Sequence, residues 1–111
     1  MTTQQFRKLA LSFQGTEENV HFDRQAFKVT KKRIFATLHE ESGTVNVKLT
    51  PVDQSVYCLA DPKNIFRVDN KWGLQGWTTF VLAKIDRQLM LDALDRAYRD
   101  VLDSGARKRK K

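Results

Sequence analysis

The segment Thr44–Leu49 alternates without a fault. Val45, Val47 and Leu49 fall on one side of an extended chain; Thr44, Asn46 and Lys48 fall on the other. A strand of this kind buries one face and leaves the other wet, as in an antiparallel sheet covered on one side. The preceding sequence supplies neighbours for it. Ala26–Thr30 alternates, with Phe27 and Val29 opposed to Lys28 and Thr30. In Arg33–His39, Ile34, Ala36 and Leu38 share one face, and Arg33, Phe35, Thr37 and His39 share the other. Only Lys31 and Lys32 separate these two runs, so they predict a tight hairpin that lacks the usual Asn-Gly or Gly-Gly. Ser42-Gly43 marks the next turn. Val20–Arg24 reads as a short extended piece, Ile65–Val68 as a further strand, and Trp77–Ala83 as the last one.

Helices must then cover the apolar face. Residues 3–14 place Phe6, Leu9, Ala10 and Phe13 at the spacing of one helical face, with Thr2 or Thr3 as cap and Gly15 as stop. Thr50-Pro51-Val52-Asp53 is a helix start: a capping hydroxyl, a proline at the first helical position and an acid at the positive end of the dipole. That helix is expected to run to about Ala60. Asp69–Gly76 reads as a loop rich in Gly and Trp. Asp86 caps a final helix to about Asp103, with Leu89, Ala93, Leu94, Ala97, Val101 and Leu102 as its buried stripe and Gly105 as its end. The expected fold class is α+β. It is a two-layer sandwich, with an antiparallel sheet of about five or six strands and the N- and C-terminal helices on one face. At 111 residues this is a single domain, 1–105, followed by a basic tail, 106–111.

Hydrophobic residues make up 41% of the chain, enough for one modest core, and no apolar run is long enough to span a bilayer. The polar start Met1–Gln5 lacks the pattern of a signal peptide. One cysteine, Cys58, forms no internal disulfide and suits a reducing compartment, so the cytoplasm is the expected location. Of the net charge of +7, five charges lie in Arg107–Lys111, leaving +2 for the folded body.

Catalytic patterns do not emerge. His21, His39 and Cys58 are scattered without metal-ligand spacing, and the acidic pairs Glu17-Glu18 and Glu40-Glu41 sit near turns. Cys58 lies in the short helix near Val56 and Leu59 and reads as a small buried hydrophobe. Gly73-Leu-Gln-Gly76 leads into a strand, whereas a phosphate loop opens a helix. The expectation is therefore a non-enzyme with no catalytic residue, no metal and no cofactor. Charge is more informative. Ala26–Thr50 carries +3 through Lys28, Lys31, Lys32, Arg33 and Lys48 against Glu40 and Glu41, whereas Asp86–Asp103 carries −2. A basic sheet side and an acidic helix side fit a surface that faces phosphates. Phe35, on the outward face, would offer a stacking platform. The tail Arg107–Lys111 reads either as a polyanion arm or as a solubilising terminus.

Several stretches together resemble the MmcQ/YjbR family. They are Leu9-Ala-Leu-Ser-Phe-Gln-Gly-Thr-Glu-Glu18, Val20-His-Phe22, Ala26-Phe-Lys-Val-Thr-Lys-Lys-Arg-Ile-Phe-Ala36, Val45-Asn-Val-Lys-Leu49, Asn70-Lys-Trp-Gly-Leu-Gln-Gly-Trp77 and the terminal helix with Ala97-Tyr98. The resemblance spans residues 3–103. It implies a two-layer fold similar to frataxin-like (CyaY) and secretion-chaperone-like proteins, and DNA binding through a double wing of two hairpins. The first wing would be Ala26–His39, bearing Lys28, Lys31, Lys32 and Arg33. The second would lie around the Trp loop, with Lys63, Arg67 and Lys71. Many members carry glycines where this chain has Lys31-Lys32, which makes its first wing more basic. Frataxin-like iron binding needs an acidic helix ridge, and the first helix holds Arg7 and Lys8 instead.

The first expectation is a DNA-binding protein that contacts phosphates through Lys28, Lys31, Lys32, Arg33, Lys48 and Lys71, weakly and in a salt-dependent way. One alternative is a protein-interaction module using the exposed sheet face around Phe35 and Val81 or the Trp72–Trp77 loop. Another is a small-ligand binder with an aromatic pocket at Trp72 and Trp77. No membrane partner is expected, and the chain is expected to be a monomer or weak dimer.

Overall fold

The computed structural model describes the backbone of residues 1–109 and the side chains of residues 1–103. The two readings of the tail concern residues outside those described side chains. The chain opens with α1 (Thr3–Leu11), where Thr2 and Gln5 form a reciprocal capping box. Four strands follow: β1 (Thr16–His21), β2 (Arg24–Val29), β3 (Ile34–His39) and β4 (Thr44–Lys48). Then come α2 (Pro51–Ala60), β5 (Ile65–Arg67), α3 (Lys71–Leu74), β6 (Trp77–Val81), a 3₁₀ turn Leu82–Lys84 and α4 (Arg87–Arg109). The expected Thr50 cap is present, its hydroxyl accepting from the Asp53 amide at 3.2 Å. Asp86 accepts from the Gln88 amide at 3.2 Å just ahead of α4.

The strands form one six-stranded antiparallel sheet in the order β1-β2-β3-β4-β6-β5. Val45 and Val47 face the helices and are fully buried, with Phe6, Phe80, Met90 and Leu94 filling the same layer. Tyr57 of α2 is hydrogen-bonded to Asp92 of α4, and Arg96 reaches from α4 to Asp53 at 3.3 Å. The helices therefore cover one face, as the sequence leads one to expect, and the other face is open.

Several expectations change. Val20–Arg24 is not one extended piece: Val20 and His21 end β1, which begins at Thr16, Arg24 opens β2, and Phe22-Asp23 form the hairpin tip between them. Asp69–Gly76 contains the helical turn α3, capped by Asn70 through the Trp72 amide at 2.8 Å. The last strand ends at Val81, and α4 runs through Gly105 to Arg109. The largest correction concerns Phe35. In the β2–β3 pairing Phe27 lies opposite Ala36 but Lys28 lies opposite Ile34, so Phe35 is an extra residue, a β-bulge. The bulge turns Phe35 inward. It is 0% exposed and meets Phe13 and Tyr98 edge to face, with ring centroids 6.3 and 6.1 Å away. Phe35 is thus neither a stacking platform nor part of an exposed docking face with Val81; Ile34 takes the open side in its place.

Candidate functional site

Strand register gathers most of the expected cations at one end of the sheet. Lys28 pairs with Ile34, Ala36 with Val47, and Lys48 with Trp77. The β2–β3 tip with Lys31, Lys32 and Arg33, the end of β4 with Lys48, and the start of β6 with Trp77 therefore all lie at the same end. Lys31 and Arg33 are exposed, and Lys28 and Lys32 are half-buried. The connection, residues 30–33, is two residues longer than expected: the Lys32 amide donates to the Val29 carbonyl at 2.7 Å, and Lys31 adopts φ +65°. Burial pushes the Lys48 ammonium below the usual lysine range; the nearby Asp100 carboxylate opposes this, and the Arg33 charge adds to it.

The second expected wing is the β5–β6 pair with α3 in its connection. Its cations do not collect on the open face. Arg67 turns toward α2, lining a hollow with Gln54, Ser55, Cys58 and Leu59. Lys63 is exposed in the turn before β5, and Lys71 is exposed at the start of α3 beside Trp72. Burial raises the Cys58 thiol, with Arg67 partly offsetting it, the opposite of what an activated thiolate requires. Among the described residues no three His, Cys, Asp or Glu side chains cluster to hold a metal, and no helix is long and apolar enough to cross a membrane.

A trough of about 390 Å³ runs along the open face. His21 and Arg24 lie toward the β1–β2 tip, Thr37 and Asn46 lie midway, and Ile34 and Trp77 lie at the cationic end; Val68, Asn70 and Trp72 close one side. Asn46 accepts from the Thr79 hydroxyl at 2.7 Å, which fixes its amide against the sheet. Arg24 is unusual: its Nη1 is buried without a hydrogen-bond partner among the described residues. An unpaired buried donor costs about 1–3 kcal/mol, more when charged, and Arg24 is the trough's one lining cation apart from His21.

The Trp loop that walls the trough is locked from below. The Gln54 amide nitrogen lies 2.9 Å from the Gly73 carbonyl, 3.2 Å from that of Trp77 and 3.1 Å from the Thr78 hydroxyl. Gly76 sits at φ +111° against the Leu49 carbonyl, and Gly73 packs on the Val68 carbonyl; a Cβ at either would collide with backbone. Two further residues escape sequence reading. Arg24 falls in the stretch of ambiguous pattern, where nothing marks it as a lining residue. Phe22 stands out at the β1–β2 tip, 89% exposed, with φ +59° and its ring 4.8 Å from that of His21.

A family model described as YjbR matches residues 11–100. The chain is also similar in structure to Deinococcus radiodurans protein DR2400, whose crystal structure is described as a DUF419 domain. The TM-score is 0.80 and the identity 20%, over 94% of this chain and 80% of that one. At that identity the likeness speaks for the fold alone. No curated protein matches the chain. The family match takes in everything from the end of α1 to the body of α4, and on that ground the chain belongs to the YjbR family.

Proposed function

We propose that this protein is a cytoplasmic nucleic-acid-binding module that grips phosphates at the cationic end of its sheet. The observation that supports the reading is the register, which draws Lys28, Lys31, Lys32, Arg33 and Lys48 to one end, with Lys71 on the adjoining α3. Phosphate contacts of this kind position the protein without reading sequence. Binding is therefore expected to be weak, indifferent to sequence and sensitive to salt. The test is fluorescence anisotropy of labelled DNA against the full chain, across a salt series. The double reversal Lys31→Glu with Lys32→Glu removes two contacts and is expected to flatten the log–log salt slope on duplex by about 1.8. An unchanged slope in a folded double variant would move the contacts elsewhere.

A second reading has its own observation. Val52, Val56 and Leu59 form an exposed apolar stripe at helical spacing on α2. Such a stripe suits protein docking. Sedimentation of the wild type and of Val56→Glu checks it: concentration-dependent association lost in the variant supports docking of a second copy.

A further inference from the structure

We infer that the trough on the open sheet face is a nucleotide site. It takes one unstacked base against Trp72 and Trp77 and an anionic phosphate oxygen on Arg24. Two requirements meet there. Arg24 carries a permanent charge, and its buried Nη1 has no acceptor among the described residues. A guanidinium fork donates best to a pair of phosphate or carboxylate oxygens. The other requirement is set by the wall. Trp72 is 51% exposed and, with the half-buried Trp77, offers indole surface to a flat ring. Between them Thr37 and the Thr79-anchored amide of Asn46 offer hydrogen-bonding groups to a polar ring edge. A flat polar ring joined to an anion is the chemistry of a nucleotide. The volume, about 390 Å³, falls within the roughly 300–1,000 Å³ usual for small-molecule sites.

The ligand has two possible sources, a free nucleotide or one unit of a single strand. The strand form rests on the nucleic-acid reading above: the trough ends at the side where Lys28 and Lys48 lie, so the backbone on either side of the seated base would meet those cations. Bases in a duplex are stacked and cannot enter, so single strands should be preferred over duplex.

The chain's two tryptophans both line the trough, so tryptophan fluorescence reports on it, and the abasic strand controls for phosphate bound at the neighbouring Lys48 and Lys71. The full chain is titrated with a short oligothymidylate, an abasic strand of equal length, a duplex, adenosine monophosphate and polyglutamate. Base entry predicts saturable quenching by the oligothymidylate and little by the abasic strand or the duplex. Arg24→Gln is expected to weaken the quenching ligand about tenfold or more, and Trp72→Leu to weaken it by a similar factor. Circular dichroism confirms that both variants fold, and Thr37→Val serves as a second, milder probe of the trough floor. Strand binding that depends on Lys31 and Lys32 but neither quenches nor responds to Arg24→Gln would overturn this inference and leave the phosphate-binding reading standing. Quenching by adenosine monophosphate that needs Arg24, with no strand bound, would sink the nucleic-acid reading and keep the site. Equal quenching by polyglutamate would assign the trough to acidic peptides and overturn the nucleotide. No quenching by any of them would also overturn it.

Discussion

At the scale of single residues, two side chains occupy backbone conformations that favour glycine. Phe22 and Lys31 have φ of +59° and +65°. Left-handed backbone costs an L-residue about 1–2 kcal/mol, and Phe22, almost wholly exposed, has only its edge-on contact with the His21 ring to set against that. Phe22→Asn and Lys31→Gly should therefore each raise stability, by about 0.5–1 kcal/mol once the freedom of the unfolded chain is included. Urea denaturation measures this. Lys31→Gly should at the same time weaken DNA binding, so stability and affinity move in opposite directions at one residue.

At the scale of elements, α2 acts as a brace with two ties. Its first tie, Gln54, holds the Trp loop through three acceptors. Gln54→Leu removes this tie, although the Gly73 and Trp77 carbonyls keep the Gly76 and Val68 amides and the Thr78 hydroxyl still donates to the Gly76 carbonyl. It should cost about 0.5–1.5 kcal/mol and loosen the Trp loop, which a lower fluorescence anisotropy of Trp72 and Trp77 would show. The second tie is the Tyr57 hydroxyl on Asp92. Burial, then the hydrogen bond to Asp92 and its charge, push the Tyr57 hydroxyl far above the ordinary tyrosine value. Above pH about 10 the unfolded chain releases this proton while the folded chain keeps it, so stability falls as pH rises through that point. Tyr57→Phe should cost about 1–2 kcal/mol at neutral pH, and the gap from wild type should narrow above pH about 10. Denaturation of the two proteins side by side cancels the titration of the lysines they share. Sequence pattern showed these elements well, because alternation and caps are local properties. It failed at Phe35, an apolar residue between Ile34 and Ala36 that strict alternation assigns to the polar face. The bulge arises from a two-against-one pairing with β2, and nothing in the β3 residues alone records how many partners they face. The Gln54 tie is hidden for the same reason, since its acceptors lie 19 or more positions away.

For the whole molecule, the cations are legible in the sequence but their convergence is not, because strand order and register decide it. Lys28, Lys31, Lys32 and Arg33 were a local cluster; Lys48 and the Trp loop joined them only once β4 paired with β3 and β6. The trough is still further from local pattern, since it draws on β1, β2, β3, β4, β6 and α3. If the sheet end carries the binding, replacing all five residues of Arg107–Lys111 by glutamine in the full chain should leave DNA binding measurable at low salt. The salt slope should flatten only by what the tail contributed, and a complete loss would assign the affinity to the tail. One edge of the sheet has a further consequence. β1 pairs on one side only, so its outer backbone groups are a template on which a stray extended chain could assemble. Glu17 and Glu18 stand on that strand, and the hydrogen bonds from Asn19 and then Thr30 hold Glu17 below the usual carboxylate range. The Glu17 charge therefore persists in mild acid and keeps a repelling group on this strand edge, where self-templating would start.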